Sequence, residues 1–285
     1  MLKHVMPIEA QAMNTNNQSA YILGHAQAEI ERLKTQAEML RPITERVLLA
    51  AGIGPGMRVL DIGCGAGDVA ILAAELVGTA GSVLAIDRNS QVLATARERA
   101  EAAGVRQIVF EERSVETFFD KDRFDLVIGR YLLIHQSDPV GLLRAAARLT
   151  KPGGSVAFHE LRLSQKCRSV PNVPLFELVE KLIRMAFSHA LPNYDAADRL
   201  VQHFSDAGLP QPSLFCETQL WAGADAHYGW WVGVLKSLLP QLHRMRIAAE
   251  HLVQIESLEY QLRDAIVAAH SQVSGPAQIC AWAKL

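Results

Sequence analysis

Between Gly56 and Glu160, short runs of consecutive apolar residues alternate with segments whose apolar positions recur every three or four residues. The runs at 58–62, 82–86, 107–111, 124–129 and 155–160 have the length and composition of buried strands, and the segments 67–77, 90–103 and 139–149 predict helices between them. Gly78 and Gly104 supply helix stops, and Asp138 stands as a cap before a proline at the first helical position, Pro139. Strictly alternating strands and helices predict an α/β fold, a doubly wound, mostly parallel sheet covered on both faces. Ligands of such sheets bind outside the carboxyl ends of the strands, where Asp61, Asp87, Arg130, His159 and Glu160 fall.

The flanks carry other periods. Residues 1–19 show none and are expected to be a flexible N-terminus. In a leader at 20–52, Ile30, Leu33, Ala37 and Leu40 keep helical spacing, while Tyr21, His25, Glu29, Arg32 and Gln36 form a polar stripe; Pro42 is expected to kink or restart this helix. Beyond the 53–160 core, residues 161–194 read as a helical lid, with a polar connection from Leu161 to Pro174 and an amphipathic helix from Leu175 to Ala190. Residues 195–225 read as a helix ended by Gly208 and a strand from Ser213 to Leu220. Residues 226–274 keep helical spacing through Leu238, Leu242 and Met245 and again through Leu258, Leu262 and Ile266, which predicts a second helical cap, with Pro240 ending the apolar run from Tyr228. The last strand is expected within 275–285.

The chemistry concentrates in Val59-Leu60-Asp61-Ile62-Gly63-Cys64-Gly65-Ala66-Gly67-Asp68, a strand that turns through three alternate glycines into a helix. Such a turn lets the backbone approach a ligand, and the helix that follows presents free N–H groups to it, as a nucleoside-bearing cofactor requires. A dinucleotide fingerprint needs its third glycine where Asp68 stands, so the nicotinamide reading is weakened. Asp87 ends the second strand, where a carboxylate accepts hydrogen bonds from ribose hydroxyls.

Asp61 followed by G-x-G-x-G resembles the first motif of class I S-adenosylmethionine-dependent methyltransferases. Phe124 to His135 is similar to that family's fourth strand and following loop, Leu149 to Phe158 to its turn into strand five, and Tyr21 to His25 with Glu31 to Gln36 to the leader helix of bacterial small-molecule members. The resemblance implies a Rossmann-like, seven-stranded sheet with helical cap insertions, S-adenosyl-L-methionine as cofactor and S-adenosyl-L-homocysteine as product. It implies that Asp61, Gly63, Cys64 and Gly65 lie near the amino-acid end of the cofactor, Asp87 at the ribose and Arg88 beside the adenine. Tyr21, Arg32, Gln36 and Arg130 would reach the methionine end. Ser114 replaces the family's aspartate after strand three, and Val115 offers its backbone N–H there. The long segment between the last two strands departs from the family pattern.

Composition narrows the function further. Of the 285 residues 49% are hydrophobic, and the formal net charge of -2 gives no broad basic field for neutralising many phosphates. No membrane span, secretory signal or metal-ligand spacing stands out, and the four scattered cysteines read as reduced thiols, so a cytoplasmic location is the expectation. Candidate general bases are His135, His159 and Glu160. Trp230 and Trp231 either stack an aromatic substrate or belong to the core. The expected function is methyl transfer to a small, largely apolar or aromatic metabolite, with no nucleic-acid or membrane partner and with homo-oligomerisation open. RNA or protein methylation, a non-catalytic S-adenosylmethionine-binding module and a nicotinamide-linked reductase are the alternatives.

Overall fold

A computed structural model describes residues 27–224, 226–249 and 253–285. Seven strands form the main sheet: β1 (Arg58–Ile62), β2 (Ser82–Asp87), β3 (Ile108–Glu112), β4 (Phe124–Arg130), β5 (Thr150–Arg162), β7 (Ser213–Glu217) and β10 (Ala277–Lys284). Their order is β3-β2-β1-β4-β5-β10-β7; the first five run parallel, while β10 is antiparallel to both its neighbours. The order reverses between β1 and β4, which opens a crevice at their carboxyl ends. β1 is buried along nearly its whole length, as expected of a strand covered on both faces.

One core lies under α1 (Gln27–Ala50), α2 (Asp68–Val77) and α3 (Ser90–Ala102) and includes Val47, Leu48, Ala70, Ala73 and Leu93. The other lies under α4 (Pro139–Leu149) and α6 (Leu200–Asp206) and continues into the cap formed by α5 (Pro174–Ala190), α7 (Tyr228–Arg244) and α8 (Leu258–Ala268). Local caps place these helices. Asp138 accepts from Gly141 N at 2.8 Å to start α4, and Asn89 accepts from Gln91 N and Val92 N to start α3. The principal packing partners of α5 are α7 and α8, and those of α7 are α5, α1 and α8.

Several expectations are corrected. Pro42 lies inside an unbroken α1, and α7 passes Pro240 to reach Arg244. Both prolines are exposed, so the carbonyls they leave without a helical partner can be hydrated. The expected strand from Ser213 to Leu220 is divided between β7 and β8 (Leu220–Ala222). A second sheet has β9 (Gln272–Ser274) at its centre, paired with β8 on one side and with β6 (Ser169–Val170), within the expected polar connection, on the other. Strands of two or three residues carry no readable period. Among the described residues, no helix is long and apolar enough to cross a membrane.

Candidate active site

The glycine turn stands where β1 meets α2. Cys64 N donates to Ile86 O at 3.0 Å, and Gly65 N donates to Asp87 Oδ2 at 3.0 Å, while Asp87 Oδ1 accepts from Asn89 N at 2.9 Å. Asp87 is thus the strut that holds the turn against β2. Gly63 has φ +65°, and a Cβ there would meet Leu132 Cδ1 at 2.9 Å; Gly65 has φ +52° and open space where its Cβ would lie. The first glycine permits close packing, and the second leaves the approach to the backbone open.

Behind the turn, Asp61 is 1% exposed and its Oδ2 has no hydrogen-bond partner among the described residues. Burial pushes its pKa up to about 8, against the pull of the Arg130 guanidinium and with further upward pressure from Asp68 and Asp87. Arg130 donates to Asp68 Oδ2 at 3.0 Å and Arg99 pairs with the same carboxylate, so Asp68 ties β4 to the start of α2 and to α3. An unsatisfied buried carboxylate oxygen at the wall beside an open glycine turn suits a ligand with a cationic group and a polar backbone. These features fit S-adenosylmethionine: Asp61 for its amino-acid end, the Gly63–Gly65 backbone along its length, and Asp87 at its ribose.

The other expected cofactor residues whose side chains are described, Arg130 included, gather on the same cavity wall. Arg88, Ser114 and Val115 line it, and both Arg88 and Ser114 donate to Glu116, forming a rim across the ends of β2 and β3. Cys64 also lines it; burial drives its thiol pKa upward, so it is a small apolar filler. Gln36 of α1 reaches the wall and accepts from Trp230 Nε1 at 3.3 Å, which joins the leader helix to the cap. Tyr21 and the side chain of Arg32 lie outside the described residues.

Of the three candidate bases, only His135 reaches the cavity. It sits on the 3₁₀ turn Leu133–His135, and burial lowers its pKa to about 4, so its ring is neutral near pH 7. His159 is 0% exposed, 3.1 Å from Thr44 Oγ1 through Nδ1 and 3.0 Å from Gln278 Oε1 through Nε2, and burial lowers its pKa to about 3. It joins β5 to α1 and β10 beneath the site. Glu160 is also 0% exposed; its Oε1 accepts from Leu132 N and Leu133 N at 2.9 Å, holding the turn that carries His135. Burial raises its pKa to about 7, opposed by those N–H groups. Neither residue borders the cavity, so both leave the set of candidate bases and become positioning groups.

The cavity measures about 1420 Å³, beyond the ~300–1,000 Å³ usual for one ligand, and continues from the glycine turn into the cap. There its wall includes Phe187 and Ile183 of α5 and Trp230, Trp231 and Val234 of α7. Trp221, Trp230 and Trp231 meet edge to face with centroids 5.2–6.3 Å apart. Trp230 and Trp231 are therefore both core and cavity wall. Glu180 and Arg184 of α5 also line the cavity. Their sequence signal was a charged i, i+4 pair within an apolar helical stripe. Among the described residues, no cluster of His, Cys, Asp or Glu suits a metal ion.

Residues 53–204 match the methyltransferase domain family, and the chain belongs to it. Its fold and first motif are those of the class I S-adenosylmethionine-dependent methyltransferases. Among similar curated proteins, aklanonic acid methyltransferase DauC of Streptomyces sp. strain C5 is 38% identical over 42% of this chain and 56% of its own. The ubiquinone biosynthesis O-methyltransferase of Paracidovorax citrulli is 38% identical over 40% of this chain and 49% of its own. The chain thus spans about half the length of these relatives. A solved candidate methyltransferase from Bacillus halodurans shares the fold, with a TM-score of 0.56 and 20% identity over 85% of this chain and 97% of that one.

Proposed function

We propose that the chain catalyses S-adenosylmethionine-dependent methyl transfer to a small, largely apolar or aromatic metabolite. The observation that carries this reading is the continuity of one cavity from the glycine turn and Asp87 to the aromatic and aliphatic wall of α5 and α7. The names of the curated relatives, an aklanonic acid methyltransferase and a ubiquinone biosynthesis O-methyltransferase, support a small-molecule acceptor. When bound, S-adenosylmethionine supplies a methyl group already activated on a sulfonium.

The protein's own contribution is to hold, orient and exclude water. Asp61, the Gly63–Gly65 backbone and Asp87 fix the cofactor at the switch point of the sheet, while the cap encloses the acceptor. Alignment of two reactants in this way can supply roughly 7–11 kcal/mol of the barrier reduction. His135 is the side chain assigned to accept a proton from the acceptor because it alone of the three candidates stands at the wall; the burial that lowers its pKa to about 4 makes it a weak base there. The net charge of -2 and the enclosing cap favour a small metabolite over RNA, and a cytoplasmic location accords with the free cysteines.

Calorimetry with S-adenosylhomocysteine, followed by mass spectrometry of a metabolite extract incubated with methyl-labelled cofactor, tests the proposal. Binding together with one labelled small molecule is the expected result. Binding without any labelled product would instead support a non-catalytic module, and absence of binding would sink the cofactor reading.

A further inference from the structure

The cap half of the cavity holds a carboxylate whose surroundings leave it half satisfied. Glu180 is 3% exposed, on the face of α5 that also buries Phe176, Val179, Ile183 and Phe187. Its Oε1 accepts from Cys167 N at 3.3 Å and from Arg184 Nε at 3.0 Å. Its Oε2 is buried and has no hydrogen-bond partner among the described residues. Fixing the Cys167 backbone and pairing with Arg184 require only the first oxygen. Leaving a buried acceptor bare is unfavourable, the more so for a charged group.

A second bare group stands on the neighbouring helix. Trp231 is 3% exposed, and its Nε1 donor also lacks a partner among the described residues. The Phe176 and Trp231 rings meet edge to face at 5.0 Å, so the next turn of α5, which carries Glu180, follows the wall lined by Trp231 and Val234. The wall around them combines Ile183, Phe187, Trp230 and Val234 with the polar side chains of Arg184 and Gln241. It thus offers a partly apolar slot with one strong hydrogen-bond acceptor and one donor.

We propose that this is the acceptor subsite, and that Glu180 anchors a ring hydroxyl through Oε2, with Trp231 Nε1–H available to an oxygen of the same ligand. The inference rests on the methyltransferase reading and deepens it: the acceptor is a hydroxylated aromatic compound, not a plain hydrocarbon. A hydroxyl donates to the carboxylate, whereas an unsubstituted ring leaves Oε2 bare. Glu180 is thereby a specificity-determining residue, distinct from the groups assigned to the cofactor.

The test uses the full chain saturated with S-adenosylhomocysteine and two probes of similar shape, 1-naphthol and 1-methylnaphthalene, with affinities read from quenching of tryptophan fluorescence. The wild type is expected to prefer the naphthol by roughly 10-fold or more, as a hydrogen bond to a charged acceptor implies. Glu180→Gln keeps an oxygen for the Cys167 N–H, and an unchanged Kd for S-adenosylhomocysteine shows that its fold is intact. In that variant the preference should fall to about threefold or less. No preference in the wild type, or one unchanged in Glu180→Gln, overturns the anchor while leaving the methyltransferase reading in place. Failure of the wild type to bind S-adenosylhomocysteine overturns that reading, and the subsite with it.

Discussion

At the scale of single residues, position along β5 separates groups that look alike in sequence. His159 and Glu160 are adjacent ionisable residues at a strand end, and both turn inward to hold other parts of the site. His159 has a consequence for stability. The folded chain keeps this ring neutral down to about pH 3, whereas the ordinary value is 6.5, so below pH 6.5 the unfolded chain binds a proton that the folded chain refuses. Stability therefore falls as pH falls through that window. His159→Gln removes this dependence. Between pH 7.5 and 5 the wild type should lose about 2 kcal/mol relative to the variant, as an upper figure, in paired urea titrations. Parallel pH profiles would show that the ring does titrate in the folded state.

Asp87 makes a second residue-scale prediction. Its two oxygens take Gly65 N and Asn89 N, so it shapes the turn in addition to the ribose contact proposed for it. Asp87→Ala should weaken S-adenosylhomocysteine binding by about 1–3 kcal/mol by calorimetry. Unchanged affinity in a folded variant would remove Asp87 from the cofactor site.

At the scale of elements, the strand–turn–helix unit of β1 and α2 is the most demanding piece of local structure. Gly63→Ala would place a side chain at φ +65° and bring Cβ to 2.9 Å from Leu132 Cδ1. The backbone term alone costs roughly 1–2 kcal/mol, while the Leu132 side chain can shift. Chemical denaturation should show a loss of that order, with S-adenosylhomocysteine binding weakened in parallel. A loss of stability with undiminished binding would mean that the turn does not contact the cofactor. The turn was legible in the sequence because three alternate glycines after an apolar strand serve few other purposes. The small sheet β6-β9-β8 was not, because its strands are defined by pairing between segments about 50 to 100 residues apart.

At the scale of the molecule, the cap and the sheet differ in how they are held. The helices α5 and α7 pack chiefly on each other, on α8 and on α1, whereas β1, β4 and β5 are paired on both sides within the sheet. Local opening should therefore begin in the cap, as a substrate cavity beneath it requires. Hydrogen exchange is expected to be faster in α5 and α7 than in those strands, and to slow in the cap when S-adenosylhomocysteine and the methylated product bind together. Equal protection of cap and sheet in the free protein would make the cap a fixed part of the core.

The sequence by itself determined the alternation of strands and helices, the glycine turn, and the carboxylates Asp61 and Asp87 at strand ends, because each follows from local period or from conformational needs within a few residues. It also marked α5 as an amphipathic helix and the α7 region as part of a helical cap. Tertiary structure alone decided what the polar groups face. His135 reached the cavity while Glu160 came to support its turn, and Glu180 gained one filled and one bare oxygen from Cys167 and Arg184. The prolines of α1 and α7 were tolerated because they fell on exposed faces. Side-chain chemistry is encoded locally, but burial and partnership, which set protonation and leave a group free for a ligand, arise only when distant segments pack.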